Sequence, residues 1–448
     1  MKNISIWKDT IERLEYPSLD EDKTVDVLII GGGLTGVSTL YNLGNSNLKV
    51  MLVEQNKIGM STTGGSTGKL TYLQNDLIDS IRKKHSDEIA LKYIKAEMTA
   101  IEKEVEVIKK ESIDCDLKEV NSYIYTNQED EIDKLKDLEK FLNDNNIKTY
   151  KNKLEIIKSK YMFYVKDTYI FHPIKFLYGL LKNNKYPIYE NTSIKEIKKE
   201  DDYYICLTDK FKIKAKYVVI VSHYPYFLLP YMFILKGHLE KSYLSASKYS
   251  GSDISLISYS NPFISMRTYK DYLIYLSNSH SINKSVDDSY HFEELKKKIK
   301  DLNLKPNYLW SNIDIMTNDS LPYIGEIKDN MLIGTGYNAW GLTNSFLAGI
   351  ILSDIILGKK NEYIKLFDPK RFNMSQVLGT FSDTFKNIGG YISGIKSDTL
   401  YKCSHLGCNL LYNEIEKTYD CPCHGSRFDE KGRVISSPAN KNINIEND

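Results

Sequence analysis

The alternation of apolar and polar positions predicts a strand, a turn, a helix and a second strand near the start of the chain. Residues 26–30 (DVLII) form a continuous apolar run, as in a strand buried in a parallel sheet. Residues 31–36 (GGGLTG) follow, then a helix-like run over 37–43 and a second strand over 49–54 (KVMLVE). This order is typical of the opening of a doubly wound α/β fold.

Further along, the same patterns predict alternating helices and strands. Residues 76–112 are rich in charge, with apolar positions at helical spacing, and predict one or two surface helices. A helix is expected over 171–181, and a hairpin over 203–208 and 211–222 leads into a buried strand at 217–221. A strand at 331–334 precedes a helix at 342–357.

Composition and charge exclude several classes of partner. The 60 basic and 59 acidic residues give a net charge of +1, which does not favour nucleic acid or an acidic membrane surface. No apolar run reaches the roughly 20 residues that a membrane span needs. We therefore expect a soluble, cytoplasmic protein without a membrane span.

The N-terminal glycines predict a dinucleotide site. Gly31, Gly33 and Gly36 form G-x-G-x-x-G between a strand and a helix, which lets a pyrophosphate approach the backbone and the helix N-terminus. Glu54 lies 18 residues after Gly36, at the end of the second strand, where its carboxylate can accept hydrogen bonds from a ribose. The motif alone does not separate FAD from NAD.

A loop rich in Gly, Ser and Thr at 59–71 narrows the choice of cofactor. With it, the sequence resembles the FAD-dependent D-amino-acid oxidase and glycine oxidase group. The resemblance extends to residues 171–173 (FHP), 310–311, 319, 321–325 (LPYIG) and 334–343 (GTGYNAWGLT). It implies FAD, with the helix after the last motif directed at the flavin. No conspicuous cysteine for flavin attachment lies near Trp340, so we expect the FAD to be non-covalent. The expected cofactor-binding residues are Gly31, Gly33, Gly36, Glu54, Thr63, Gly64, Ser66, Thr67, Gly68, Gly334, Gly336, Gly341, Leu342 and Thr343.

The catalytic residues are less defined than the cofactor site. Lys69, His223 and Trp340 are weak candidates for a position beside the flavin. Arg267 is a guess for a clamp on a substrate carboxylate, since no arginine stands out in this role. The resemblance therefore indicates fold and cofactor better than substrate.

Four of the six cysteines crowd into residues 403–423, which suggests metal chemistry in a chain otherwise poor in cysteine. Cys403-x-His405 and Cys421-x-x-His424 place two cysteines and two histidines on two short loops. This set also suits a structural zinc ion. A glycine after each pair and the further cysteines Cys408 and Cys423, one on each loop, favour an iron–sulfur cluster.

The segments CSHLGC and CPCHGSRF resemble the Rieske family. The resemblance implies that Cys403 and Cys421 bind one iron and His405 and His424 the other, and that Cys408 and Cys423 form a disulfide. Ser426 matches a serine that donates to the cluster. Phe428 stands where high-potential members carry tyrosine, which predicts a lower potential. The short stretch before Cys403 predicts a trimmed base subdomain.

These observations predict an α/β fold with three parts: a doubly wound Rossmann-type FAD-binding domain, an α+β substrate domain with an antiparallel sheet, and a small all-β Rieske module. The expected boundaries are 20–85, 168–225 and 319–362 for the FAD-binding domain, 86–167 and 226–318 for the substrate domain, 363–395 for a linker, and 396–448 for the Rieske domain.

The predicted function is an FAD-dependent dehydrogenase. It would oxidise an amine or amino-acid-like C–N bond of a small molecule and pass electrons singly to a Rieske [2Fe–2S] cluster, and onward to an unknown redox partner. One alternative is an electron-transfer or redox-sensing protein without an organic substrate. A second is a flavoprotein whose tail holds zinc.

Overall fold

A computed structural model of the chain describes residues 1–224, 236–260, 262–282, 288–371 and 401–445. The strands are β1 Lys23–Ile30, β2 Val50–Val53, β3 Lys69–Leu70, β4 Lys118–Thr126, β5 Tyr161–Ile170, β6 Ile188–Tyr189, β7 Glu196–Glu200, β8 Tyr203–Leu207, β9 Lys212–Ile220, β10 Gly237–Lys248, β11 Ser255–Ser258, β12 Ser265–Tyr269, β13 Tyr272–Ser281, β14 Pro306–Thr317, β15 Tyr323–Lys328, β16 Met331–Thr335, β17 Leu411–Asn413, β18 Thr418–Asp420, β19 Arg427–Asp429 and β20 Val434–Ser436. The helices are α1 Ile6–Asp9, α2 Leu34–Asn42, α3 Leu77–Lys84, α4 Asp87–Lys110, α5 Ile132–Asp144, α6 Pro173–Leu181, α7 Asp288–Asp301, α8 Gly341–Ile356 and α9 Ile364–Phe367.

The first sheet is parallel at its centre, in the order β16-β9-β1-β2-β6. Strand β15 adds antiparallel to β16, and the hairpin β7-β8 adds antiparallel to β9. Alternate side chains of β1 enter different cores: Val27 and Ile29 pack with the helices α2 and α8, whereas Leu28 and Ile30 pack on the opposite face. A strand buried on both faces explains the unbroken apolar run in the sequence.

Helices α2 and α8 cross this sheet in close contact. A Cβ built on Gly349 of α8 would lie 2.4 Å from Cβ of Ser38 in α2, so only a glycine permits this approach. The predicted elements over 171–181, 203–222 and 331–357 are present as α6, the β8-β9 hairpin, β16 and α8. Residues 76–112 form two helices, α3 and α4, as predicted. Helix α4 buries its apolar stripe, together with Glu97 and Glu104, and exposes charged residues such as Lys95, Glu102 and Glu106 on the other side.

The second sheet has eight strands in the order β14-β10-β13-β12-β11-β4-β5-β3. All neighbours are antiparallel except β11 and β4, which are parallel. Strands β10 and β14 are each 12 residues long and pair along most of their length. This sheet confirms the α+β, mainly antiparallel part of the prediction.

The third sheet, β17-β18-β19-β20, is small and wholly antiparallel. It contains the second cysteine–histidine loop between β18 and β19 and confirms the all-β C-terminal module. Most of the predicted linker, from residue 372 to residue 395, lies outside the described residues. Its start forms α9, and Arg371 there makes a salt bridge to Asp319, 2.7 Å from Nε to Oδ2.

No helix within the described ranges is both long and apolar enough to cross a membrane.

Candidate functional site

The glycine turn after β1 has the geometry that its sequence predicts. Gly31 has a φ of +119°, and a Cβ there would lie 2.8 Å from the carbonyl oxygen of Val221. A Cβ on Gly36 would lie 2.0 Å from the carbonyl oxygen of Gly31, so the third glycine allows α2 to pack on the turn. Gly33 is the extended N-cap of α2 and has no side chain to fill its first turn. The backbone at the start of α2 is therefore open to an anionic group.

Glu54 follows β2 and closes the turn from the opposite side. Its carboxylate accepts hydrogen bonds from the backbone N–H groups of Gly32 and Asn56, each at 2.7 Å. Burial raises the pKa of this carboxyl, and the backbone donors oppose that shift. The carboxylate is thus held at the cavity wall, at the position of the ribose acid in dinucleotide folds.

Two indoles hold the loop rich in Gly, Ser and Thr. Trp310 Nε1 donates to the carbonyl oxygen of Gly65 at 2.9 Å, and Trp7 Nε1 donates to that of Ser66 at 2.7 Å. Thr63 Oγ1 accepts from the N–H of Leu34 at 3.1 Å and so joins the loop to the first turn of α2. The loop is fixed against the glycine turn.

Arg267 is a buried positioning residue, and the guess that it clamps a substrate carboxylate is wrong. Its Nη1 donates to the carbonyl oxygens of Gly68 and Phe171, the latter at 3.0 Å, and its guanidinium stacks over Trp7 at 4.9 Å. The side chain is fully buried and does not line the main cavity. Arg267 therefore supports the end of the loop from behind.

The second glycine motif forms the opposite end of the site. Gly336, Asn338 and Ala339 all have positive φ, at 74°, 51° and 67°, which turns the chain from β16 into α8. The Oδ1 of Asn338 accepts from the N–H of Thr317 at 2.7 Å, whereas its buried Nδ2 has no partner among the described residues. An unpartnered donor beside a helix N-terminus suits an acceptor atom of a bound cofactor.

These elements enclose one cavity of about 400 Å³. Most of the expected cofactor-binding residues line it, namely Gly31, Gly33, Glu54, Thr63, Ser66, Thr67, Gly334, Gly336, Gly341, Leu342 and Thr343. Gly36, Gly64 and Gly68 do not line it and act in packing around it instead. The weak candidates Lys69, His223 and Trp340 also line the cavity.

The Lys69 side chain is held in place by hydrogen bonds, whereas among the described residues only the backbone of His223 is so held. Lys69 Nζ donates to the carbonyl oxygen of Leu256 and to Ser265 Oγ, each at 2.8 Å, and burial lowers its pKa well below the usual value. Burial also lowers the pKa of His223 to about 4, and its carbonyl oxygen accepts from Thr335 Oγ1 at 2.9 Å. Burial thus disfavours the charged form of both groups, and His223 is neutral at neutral pH.

Three carboxylates of the cavity were not foreseen from the sequence. Glu240 of β10 and Asp314 of β14 lie directly opposite each other, and Asp76 precedes α3 nearby. Burial, with the charge of Glu240 added, raises the pKa of Asp314 to about 7. No arginine is among the described residues that line the cavity. The cavity is therefore acidic on the side of the second sheet.

The two faces of the β10-β14 pair have different neighbours. Glu240, Ser242, Asn312 and Asp314 point into the cavity, and we call this the cavity face. Leu239, Lys241, Ser311 and Ile313 alternate with them and contact the C-terminal module, and we call this the docking face. One layer of two strands thus lies between this side of the cavity and the second cysteine–histidine loop.

The two cysteine–histidine loops have the same local hydrogen bonding. The N–H of Gly407 donates to the carbonyl oxygen of Cys403 at 2.9 Å, and that of Gly425 donates to Cys421 at 3.0 Å. Gly407 and Gly425 have φ of 75° and 73°, which explains a glycine after each pair. The disulfide Cys408–Cys423 joins the loops and confirms the expected pairing.

The loops bring the four predicted ligands together. The rings of His405 and His424 are 5.1 Å apart, and the buried Nδ1 of His424 has no hydrogen-bond partner in the described part of the chain. A hydrogen bond with Cys421 lowers the pKa of the Cys403 thiol to about 7. Sulfur atoms of Cys408, Cys421 and Cys423 also lie within 4.8 Å of one another, but the disulfide removes two of these as ligands. Two thiols on one side and two imidazoles on the other fit a Rieske cluster.

The second loop packs directly on the docking face. A Cβ on Gly425 would lie 3.0 Å from Leu239 Cδ1 and 3.5 Å from Ile313 Cδ1. The ring of His424 lies 6.3 Å from that of Tyr224, whose neighbour His223 lines the cavity. A histidine of the predicted cluster site therefore faces the domain that contains the cavity.

Comparison with known proteins agrees with both sites. Residues 26–355 match the FAD dependent oxidoreductase family, and residues 399–446 match the Rieske [2Fe-2S] domain. The chain belongs to the FAD dependent oxidoreductase family. FAD and a Rieske [2Fe–2S] cluster are accordingly the cofactors of its two parts, and the chain is an FAD-dependent oxidoreductase with an iron–sulfur cluster.

The similarity to known relatives extends over either nearly the whole chain or its larger part. The putative Rieske 2Fe-2S iron-sulfur protein YhfW of Bacillus subtilis is 28% identical and covers 97% of this chain and 96% of its own. The gamma-glutamylputrescine oxidoreductase of Escherichia coli is 22% identical over 78% of this chain and 87% of its own. An L-amino acid deaminase from Proteus vulgaris has the same fold over 81% of this chain and 100% of its own, with a TM-score of 0.66 and 16% identity.

Proposed function

We propose that this protein is an FAD-dependent dehydrogenase that oxidises the C–N bond of a small cationic amine and passes the electrons one at a time to its Rieske cluster. When bound, FAD supplies two-electron oxidation and one-electron release, and the cluster supplies one-electron acceptance. The observation that carries the proposal is the two-faced β10-β14 pair. Its cavity face lines the predicted flavin and substrate site, and its docking face receives the His424 loop.

The residues proposed to hold the cofactors are those that the geometry brings together. Gly31, Gly33, Glu54, Thr63 and Ser66 would hold the nucleotide part of FAD, with the N-terminus of α8 beside the flavin. Cys403 and Cys421 would ligate one iron of the cluster, and His405 and His424 the other.

The acidic cavity supports an amine rather than a substrate held by its carboxylate. Glu240 and Asp314 are acidic groups directly opposite on neighbouring strands, and His238 Nε2 lies 3.3 Å from Glu240 Oε1. Two carboxylates so close together favour a further cation as partner. Lys69 does not serve as that cation, because its Nζ is bound by Leu256 and Ser265 and its pKa is lowered. An ammonium group of the substrate would supply it. The amine-type name of the Escherichia coli relative agrees with this choice.

The cluster next to the cavity favours a dehydrogenase over a peroxide-forming oxidase. A second cofactor that accepts one electron at a time is needed only when the electrons go to a one-electron partner. Leu239, Ile313 and Tyr224, which lie beside the second cluster loop, are apolar or aromatic and belong to one packed cluster.

The test is a panel of candidate substrates, with flavin reduction followed under anaerobic conditions and turnover with two different acceptors. Holoprotein would be mixed with monoamines, diamines and α-amino acids of matched length, and turnover would be followed with a one-electron acceptor and, separately, with oxygen. The proposal expects amines to reduce the flavin and the one-electron acceptor to support faster turnover. Reduction by no amine or amino acid, together with reduction by a nicotinamide, would favour the electron-transfer alternative.

A further inference from the structure

Three residues of the Rieske domain line the same cavity as the N-terminal glycine turn. Ile435, Ser436 and Ser437 lie at the end of β20 and just beyond it, and they face the FAD-binding cavity. They approach the segment after Glu54, where Gln55 and Asn56 also line the cavity. Residues almost four hundred positions apart therefore share one wall of the site.

Hydrogen bonds fix this segment to the FAD-binding domain. Gln55 Nε2 donates to the carbonyl oxygen of Ala439 at 3.3 Å, and Lys195 Nζ donates to that of Asn440. The N–H of Ala439 in turn donates to Ser426 Oγ at 3.0 Å, and Ser426 belongs to the second cluster loop. The same short segment thus contacts both the FAD-binding domain and the cluster loop.

The position of the segment identifies the part of the cofactor that it would meet. In dinucleotide folds the pyrophosphate lies at the helix N-terminus and the ribose at the acid after the second strand. Here these are the start of α2 and Glu54. Gln55, Ser193 and Ile194 lie beyond the ribose acid and line the adenine end of the cavity, together with Ile435.

Ile435 is an exposed apolar side chain on the wall of the cavity. It is 36% exposed, although large aliphatic side chains are usually buried, and it lines the cavity. A planar adenine base placed there would cover the aliphatic side chain. The hydroxyls of Ser436 and Ser437 beside it offer donors and acceptors for the polar edge of an adenosine.

We propose that Ile435, Ser436 and Ser437 of the Rieske domain complete the adenosine part of the FAD site. FAD then bridges the two domains. Because coupling between binding and docking is reciprocal, FAD stabilises the docked Rieske domain, and the docked domain tightens FAD. This inference concerns cofactor binding alone and does not depend on the substrate or on the direction of electron flow.

The test measures FAD affinity in the full chain with the cluster retained. FAD would be removed from the holoprotein and titrated back, with flavin fluorescence as the readout, for wild type, Ile435→Ser and Tyr412→Ser. Tyr412 is a matched control, because it is also 36% exposed, lies in the same sheet and does not line the cavity. Iron content and the visible cluster absorbance would show that the Rieske domain is intact.

Ile435→Ser is expected to raise the Kd for FAD by about tenfold, from the loss of apolar contact area, while Tyr412→Ser leaves it unchanged. Binding of FMN, which lacks the adenosine, should be equal in both variants. If Ile435→Ser loses its cluster, Ser436→Ala takes its place, with a smaller rise in the Kd for FAD and none for FMN. An FAD affinity equal to wild type in Ile435→Ser, or in Ser436→Ala where it takes its place, with the cluster intact, would overturn the proposal.

Discussion

Lys241 of β10 forms an ion pair with Asp420 of the Rieske domain, with 2.7 Å between Nζ and Oδ2. The Lys241 side chain is only 5% exposed and also pairs with Asp288 of α7 at 2.8 Å. Next to it, Arg427 pairs with both Asp420 and Glu416, and Glu416 accepts from the N–H of Ser311 at 3.0 Å. A buried, fully paired network therefore attaches the Rieske domain to the docking face.

Asp420→Asn is expected to weaken this attachment. It leaves Lys241 and Arg427 with fewer partners in a buried site, which costs about 3 kcal/mol in the free energy of unfolding. Glu414→Gln, at a carboxylate whose side chain is 66% exposed, should cost less than about 1 kcal/mol. The free energies of unfolding of both variants can be measured by denaturant titration, with the loss of cluster absorbance as the readout. Equal midpoints for the two variants would show that the network does not stabilise docking.

The same network predicts sensitivity to acid. Burial opposes ionisation of Asp420 and Glu416, but the charges of Arg427 and Lys241 hold the pKa of each carboxyl below its ordinary value. Groups with a lowered pKa stabilise the folded state above the unfolded pKa, about 4 for a carboxyl, and this stability is lost as the pH falls through the folded pKa. Unfolding curves of wild type and Asp420→Asn should therefore differ at pH 7 and approach each other as the pH falls below 4.

Asp314 should control how amine binding depends on pH. Burial and Glu240 raise its pKa to about 7, so its negative charge forms only as the pH rises through that value. We expect KM for an amine to fall over this range in wild type. In Asp314→Asn, KM should not fall with rising pH, and above pH 7 it should be about fivefold higher than in wild type. The reason is the loss of roughly 1 kcal/mol of attraction between the carboxylate and the amine. The control Asp133→Asn, at a side chain that is 96% exposed, should behave as wild type.

The charge of Asp314 that favours amine binding should at the same time lower the stability of the fold. A carboxyl with a raised folded pKa loses stability as the pH rises from its unfolded value near 4 to about 7. Asp314→Asn should therefore unfold at a higher temperature than wild type at pH 8 and show little gain at pH 4. A lower melting temperature at pH 8 would show that the carboxylate is already compensated in the free protein.

The disulfide between Cys408 and Cys423 should protect the cluster. It joins two loops 15 residues apart, a loop length for which a crosslink contributes about 3 kcal/mol. The double variant Cys408→Ser with Cys423→Ser should lose cluster absorbance faster in the presence of a chelator. Wild type treated with a reductant and then returned to air should regain the slow rate, which separates the crosslink from damage to the fold.

Phe428→Tyr is expected to raise the reduction potential of the cluster. Phe428 is fully buried on β19, beside the second cluster loop, and provides no hydrogen-bond donor. A hydroxyl at this position would add a donor to the cluster, which stabilises its reduced form. Redox titration followed by electron paramagnetic resonance measures the shift, and an unchanged or lower potential would show that the added hydroxyl does not reach the cluster.

The parts of the site that depend on local sequence were predictable. The turn at Gly31, the loop at Thr63 and the ligands on the two cluster loops each follow from a short motif with its own backbone geometry. The docking network was not predictable, because Lys241 and Asp420 are 179 positions apart and no local pattern connects them.

The acidic cavity was missed for a related reason. Glu240 and Asp314 read as ordinary polar positions on strands, and only the register that sets them opposite each other makes them a pair. The guess at Arg267 failed because burial under the loop cannot be inferred from a single charged residue in a strand. The one signal available in the sequence was the alternation along β10, which places Glu240 on one face of the strand and Leu239 and Lys241 on the other.

Rapid-freeze electron paramagnetic resonance of the anaerobic holoprotein, after mixing with an amine that bleaches the flavin, tests whether electrons pass singly from the flavin to the Rieske cluster. We expect the signal of the reduced Rieske cluster to grow together with that of a flavin radical, because one cluster accepts only one of the two electrons of the reduced flavin. Asp420→Asn should slow this growth while the initial bleaching keeps its rate. Bleaching of the flavin with the cluster still oxidised, and reoxidation only when oxygen is admitted, would contradict this expectation.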